Sequence, residues 1–153
     1  MLKLNMKELV PLVTEVIESG ATFRLYPRGE SMLPTLCPGD DSVDLAKPAL
    51  LKRYDIVLYK RECDKYVLHR IVNIRGDLYD MCGDNQLEVE KGIPKENIIA
   101  YVPAIYKGEN RIDTDSQEYL KEIKKLYDKK KRQRIVASVK GFLYPAYKLI
   151  FKK

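Results

Sequence analysis

Apolar and polar positions follow two different periods along this chain. In residues 6–18, MKELVPLVTEVIE, the apolar side chains Leu9, Leu12, Val13, Val16 and Ile17 recur every three or four positions, which predicts a short amphipathic helix. Pro11 falls early, where a first turn accepts it, and Gly20 supplies a stop. Beyond residue 20 the period shortens to two. ATFRLYPRG sets Phe23 and Leu25 against Arg24 and Tyr26, a strand pattern. Residues 31–42 are rich in turn formers, SVDLA reads as a short strand, and YDIVLYKR, with Ile56, Val57 and Leu58 in succession, as a strand buried on both faces. KYVLHRIVNIRG alternates around His69 and ends at a Gly76-Asp77 turn. DLYDMCGDN is a strand running into a second Gly-Asp turn, and ENIIAYVPAIYKGEN reads as a strand pair interrupted by Pro103.

Short strands punctuated by Gly and Pro predict a compact, mainly β (α+β) body over about residues 20–108. After IDTDS the pattern changes. Residues 116–134 read as a charged helix with Ser116 as N-cap. Residues 135–151, IVASVKGFLYPAYKLIF, place Ile135, Val139, Phe142, Leu143, Tyr147 and Ile150 near one stripe that Lys140 and Lys148 interrupt. The expected division is a body over residues 1–112 and a basic amphipathic helical tail over 113–153.

A chain of 153 residues suffices for one domain with a real core. Its three cysteines, Cys37, Cys63 and Cys82, are odd in number and scattered. No CxxC pair or His-rich tract accompanies them, so the expectation is reduced thiols, neither a zinc site nor a disulfide framework. No secretory signal peptide and no run of 18 apolar residues is visible, which excludes a conventional membrane-spanning helix and points to a cytoplasmic or peripherally membrane-associated chain. The net charge of +6 is unevenly spread. Residues 119–153 hold 12 basic and 2 acidic side chains, a local net of +10, which leaves −4 on the rest. Three roles fit such a tail: a helix covering the body, an anchor on anionic lipid with Phe142, Tyr144, Tyr147 and Phe151 at headgroup level, or a nucleic-acid contact. The last ranks lowest, because no nucleic-acid module accompanies the basic run.

Candidate chemistry centres on RGESMLPTLCPGDDSV, residues 28–43, where Ser31 is set among prolines and turns. A serine hydroxyl needs a neighbouring base to become a nucleophile. The chain has one histidine, His69, inside a strand that would fix its position, and an imidazole near its ordinary pKa of about 6.5 suits general-base work. A third group usually orients such an imidazole. Asp84, in the turn CGDN, is the first candidate and Asp55, opening DIVLY, the weaker one. Taken singly, each has a structural alternative: a loop serine, a packed histidine, a plain turn.

Their order along the chain carries a resemblance. GESMLPTLCPGD, then YDIVLYK, then YVLHRIV, then CGDN resembles the signal peptidase I superfamily of serine proteases, which includes the self-cleaving repressor proteases. The shared pattern is a Gly-x-Ser-Met-x-Pro-x-Leu box, a Gly-Asp turn, an Asp-Ile-Val strand and a strand with the general base before an Arg. His69 before Arg70 looks like the histidine branch, found in archaeal and endoplasmic-reticulum-type enzymes, and Gly83, Asp84 and Asn85 match its Gly-Asp-Asn box. The resemblance covers about residues 20–105. It implies Ser31 as nucleophile with its own backbone N–H in the oxyanion hole, His69 as base and Asp84 as the acidic partner. It further implies Met32 as an apolar wall near the scissile bond and Pro34 and Pro38 as stiffeners of the loop. Tyr54 stands where the family usually has glycine, and the length criterion predicts none of the membrane-spanning anchors the family normally carries. The expected function is a serine endopeptidase acting on a peptide or protein substrate, secreted or membrane-proximal, with no metal or organic cofactor. Two alternatives stay open: an inactive peptide- or membrane-binding module of the same fold, and a self-processing regulator.

Overall fold

A computed structural model describes residues 5–151, with side chains as far as residue 141. Helix α1 spans Met6–Glu18. Asn5 caps it reciprocally with Glu8: the Asn5 side chain accepts from the first turn, and the Glu8 carboxylate accepts from the Asn5 N–H at 3.1 Å. Eight strands follow: β1 Phe23–Leu25, β2 Asp41–Ala46, β3 Ile56–Lys60, β4 Tyr66–Arg75, β5 Leu78–Cys82, β6 Glu90–Pro94, β7 Ile98–Lys107 and β8 Asn110–Asp113. Helix α2 runs from Gln117 to Phe151. The class is mainly β with two helices, as the sequence predicts.

All strand pairs are antiparallel, in the order β1-β2-β7-β3-β4-β5-β6, with β8 also on β7. One expectation is corrected here, and one strand is added. Pro103 does not divide a strand pair, because β7 passes through it. Tyr101 pairs with Ala46 and Ala104 with Asp44, so Val102 and Pro103 together oppose Leu45 in a bulge, where a residue without an N–H is tolerated. Strand β6, EKGIP, carries Gly92 and Pro94 and little apolar signal, yet it completes the sheet as an edge on β5.

Alternation along β3 and β4 sorts side chains onto two faces. Val57 pairs with His69 and Ile56 with Arg70, so His69 and Arg70, neighbours in sequence, face opposite ways. One face is the larger core: Val13 and Ile17 of α1, Met32 and Leu36, Val43 and Leu45, Ile56 and Leu58. Tyr119, Ile123 and Tyr127 of α2 join it, with Lys130 buried one turn on. Burial of each aliphatic side chain of this core is worth about 1.5–3 kcal/mol. The first turns of α2 therefore belong to the body, the covering role among those open to the tail. Farther along, Ile135, Val136 and Val139 are exposed. The opposite face holds the smaller cluster of Val57, Tyr59, Ile71, Tyr79, Met81 and Ile93. The remaining expected stripe, from Phe142 on, lies outside the described side chains. No helix among the described residues is long and apolar enough to cross a membrane.

Candidate active site

The loop between β1 and β2 is fastened from below. Met32 and Leu36 are buried in the larger core, and the Leu36 N–H donates to the Met32 carbonyl at 2.9 Å. This tight turn holds Ser31 half-buried at its start, two residues after Gly29, whose φ of +88° is the left-handed conformation glycine adopts without cost. Met32 thus serves as the loop's core anchor. Pro34 follows a cis peptide bond and lines two surface cavities, and Pro38 lies farther along the loop.

The same loop is docked from above on the turn after β5. The Asn85 N–H donates to the Ser31 carbonyl at 2.8 Å. Gly83 leaves room for this approach: a Cβ there would lie 2.6 Å from the Ser31 carbonyl oxygen and 2.8 Å from Gln86 Oε1. Glycine is needed here for space, not for an unusual backbone angle. Arg70 pairs with Cys82, where β5 ends, and Gln86 and Leu87 of the following turn line a cavity with His69. Ser31 and His69 thus flank one turn from two sides, though among the described residues they share no hydrogen bond.

His69 is 2% exposed and lines a cavity of about 550 Å³ with Arg61, Met81, Gln86, Leu87, Glu88 and Glu90. Burial pushes its pKa down to about 4, helped by the positive charge of Arg61 and opposed by Glu90 and Asp84. The imidazole is therefore neutral at pH 7, the state a general base requires. Its Nδ1 lies 3.2 Å from the Tyr59 hydroxyl, which donates to Glu90 Oε2 at 2.7 Å. Arg61 Nε donates to that oxygen at 2.6 Å.

Asp84 has other partners. It accepts from Arg70 Nε and Nη2, from the Tyr127 hydroxyl at 2.7 Å and, very closely, from the Thr35 hydroxyl. Burial works against its charge, but Arg70, Thr35 and Tyr127 together hold the carboxyl below the usual carboxylate range. These contacts lie on the Arg70 face of the sheet and tie three segments together: the Ser31 loop through Thr35, β4 through Arg70 and α2 through Tyr127. Helix α2 adds two further ties to the turn. Lys130 Nζ donates to the Gly83 carbonyl at 2.7 Å, and Arg134 Nε to the Leu87 carbonyl at 2.7 Å. Burial lowers the Lys130 pKa.

Asp55, the weaker candidate, accepts from the Lys52 N–H at 2.7 Å and closes the turn before β3. The next residue back, Tyr54, has φ +79°, in the region that favours glycine. Its N–H donates to the Ile71 carbonyl at 2.8 Å and its carbonyl accepts from Arg70 Nη1 at 2.7 Å, which hold it there. All three cysteines are free: Cys63 is exposed, Cys37 half-buried and Cys82 buried. Among the described residues no cluster of three or more His, Cys, Asp or Glu could hold a metal ion.

Tyr59, Arg61 and Glu90 are absent from the sequence-based candidates. Tyr59 shared a findable signal, since it lies two residues from Val57, the partner of His69, and so on the same face. Glu90 reaches that face only through β6, which no apolar pattern marks. No known protein family, curated protein or solved structure matches the chain.

Proposed function

We propose that this protein is a serine endopeptidase of the signal-peptidase-like superfamily. Ser31 attacks a peptide carbonyl, His69 takes its proton and returns it to the leaving amine, and water then releases the acyl group by the same route in reverse. The Ser31 N–H serves the developing oxyanion, a contribution typically worth about 2.7–4 kcal/mol. Asp84 holds the Ser31 loop, Arg70 and α2 in register. The observation that carries this reading is the docking of the Ser31 loop, through its own carbonyl, on the turn that flanks His69. The glycine-type conformation of Tyr54 agrees with the resemblance at that position. The substrate is a peptide or protein segment.

The test is cleavage of a peptide library by the wild type and by Ser31→Ala and His69→Ala variants, with folding followed by circular dichroism. Cleavage by the wild type that both folded variants lose supports the reading. Absence of wild-type cleavage, with no labelling of Ser31 by a fluorophosphonate, overturns it. The missing Ser31–His69 hydrogen bond favours a second reading, an inactive binding module of the same fold, and that result would select it. A self-processing regulator would instead show a mass loss on incubation that Ser31→Ala abolishes.

The basic helix supports a peripheral location on anionic membrane. Exposed Ile135, Val136 and Val139 lie interleaved with Lys129, Lys131 and Arg132 on one stretch of the helix, and the cationic groups are what would draw it to an anionic surface.

A further inference from the structure

His69 must present one nitrogen to Ser31 without its proton, and a neutral imidazole has two ways to place that proton. The hydrogen-bond chain on the other side of the ring decides between them. The Tyr59 hydroxyl has a single proton and three neighbours: Glu90 Oε2 at 2.7 Å, His69 Nδ1 at 3.2 Å and the Arg61 guanidinium, which can only donate. Arg61 is ion-paired to the same Glu90 oxygen at 2.6 Å, and an ionised carboxylate only accepts. The Tyr59 proton must therefore point to Glu90. Toward His69 the phenol oxygen can only accept, so Nδ1 carries the hydrogen. The reverse arrangement would set two lone pairs against each other at the shorter contact. Burial, followed by the bond to Glu90, raises the Tyr59 pKa, so the phenol keeps its proton.

We propose that Glu90, acting through the Tyr59 hydroxyl, is a positioning residue that fixes His69 in the Nδ1–H tautomer and leaves Nε2 as the basic atom. This rests on the peptidase reading for its catalytic meaning, but not for its test. When Nε2 takes the Ser31 proton, the ring becomes an imidazolium. Its Nδ1–H stays on the Tyr59 oxygen, and the Glu90 carboxylate, one hydroxyl away, supplies the compensating charge. No proton leaves Tyr59. Other charges near the ring are Arg61 after β3, Asp84 in the turn after β5 and Lys130 on α2. Asp84 cannot take this role in the described arrangement, because Arg70, Tyr127 and Thr35 occupy its oxygens.

His69 is the chain's one histidine, so a long-range proton–nitrogen NMR correlation on histidine-labelled protein reads this ring alone. The wild type should show a protonated Nδ1 and a bare Nε2 at pH 7. Tyr59→Phe removes the acceptor and should shift the population toward Nε2–H. Glu90→Gln keeps an acceptor for the Tyr59 proton, so the Nδ1–H form should persist while the compensating charge is lost. With an active wild type, kcat should then fall about 10²-fold or more at little-changed KM. An Nε2–H ring in the wild type, or a folded Tyr59→Phe variant with an unchanged ring, overturns the proposal. Failure of the peptidase reading is a separate result: no cleavage by a wild type whose ring shows the Nδ1–H form.

Discussion

Arg70 and Asp84 meet fork to fork with no solvent contact: Nε donates to Oδ1 at 2.9 Å and Nη2 to Oδ2 at 2.7 Å, and both side chains are fully buried. Two charges taken wholly out of water depend on each other, and removing one strands the other. The pair sits beneath the turn that docks the Ser31 loop, so its geometry is transmitted to the candidate nucleophile. Asp84→Ala should destabilise the fold by about 3–5 kcal/mol. A double replacement of Arg70 and Asp84 by apolar residues of similar volume should cost much less than the two single changes added. Urea unfolding of the three variants checks this, and simple additivity would show that the pair is not coupled.

Gly83→Ala tests the close approach beneath Ser31. The new methyl meets a backbone oxygen at 2.6 Å, so the loop itself must move. Overpacking of this kind costs about 1–3 kcal/mol, which a sound core survives. The rate of Ser31 acylation by a fluorophosphonate should drop at least about tenfold, since small misplacements of a reacting group have large effects on rate. Unchanged labelling would mean that the docking is incidental to reactivity.

The buried imidazole gives stability a defined pH dependence. The folded pKa of His69, about 4, lies below the ordinary 6.5. Between those values the unfolded chain binds a proton that the folded chain refuses. Stability should therefore fall by on the order of 3 kcal/mol as pH drops through that window, and His69→Gln should flatten the slope. Asp84 has a lowered folded pKa, so its contribution persists through this window and is lost only at more acid pH, as pH falls through that folded value. Denaturant midpoints from pH 7 to pH 4 separate the two groups. The acid limb of kcat/KM should likewise lie nearer 4 than 6.5.

Deleting residues 135–153 removes the exposed Ile135, Val136 and Val139 while keeping Tyr119, Ile123, Tyr127, Lys130 and Arg134. The melting temperature should hold within a few degrees, because the anchors of α2 precede the cut. Binding to phosphatidylserine-containing vesicles should weaken about 10²–10³-fold, as four lysines worth about 1 kcal/mol each are lost with the apolar groups. A truncated chain that binds such vesicles as well as the full one would place the membrane contact elsewhere.

Much of this architecture is written locally. Helix α1 and strands β2 to β5 are legible from their own residues: α1 carries one apolar stripe, whereas β3, with Ile56, Val57 and Leu58 in succession, is apolar on both faces. What local pattern cannot carry is pairing. His69 and Arg70 are adjacent in sequence, yet only the β3–β4 register shows that they serve opposite faces. That separation assigns Asp84 to Arg70 and leaves the imidazole to Tyr59 and Glu90. Strand β6 is not marked by its own Gly- and Pro-bearing sequence, and its ladder to β5 and the buried Ile93 hold it in place. The Ser31 loop, the His69 strand and the Gly83 turn were each legible as separate words. Their meeting point depends on a chain reversal that no single segment encodes.

Helix α2 is unbroken from its anchors in the body to Phe151, and at 1.5 Å per residue the part beyond Arg134 measures roughly 25 Å. A rod of that kind is a gauge. Whatever its outer end rests on, the His69 cavity is carried at a set height above it. Inserting or deleting residues there would shift the outer end by one residue's rise and turn it about 100° around the axis for each residue changed.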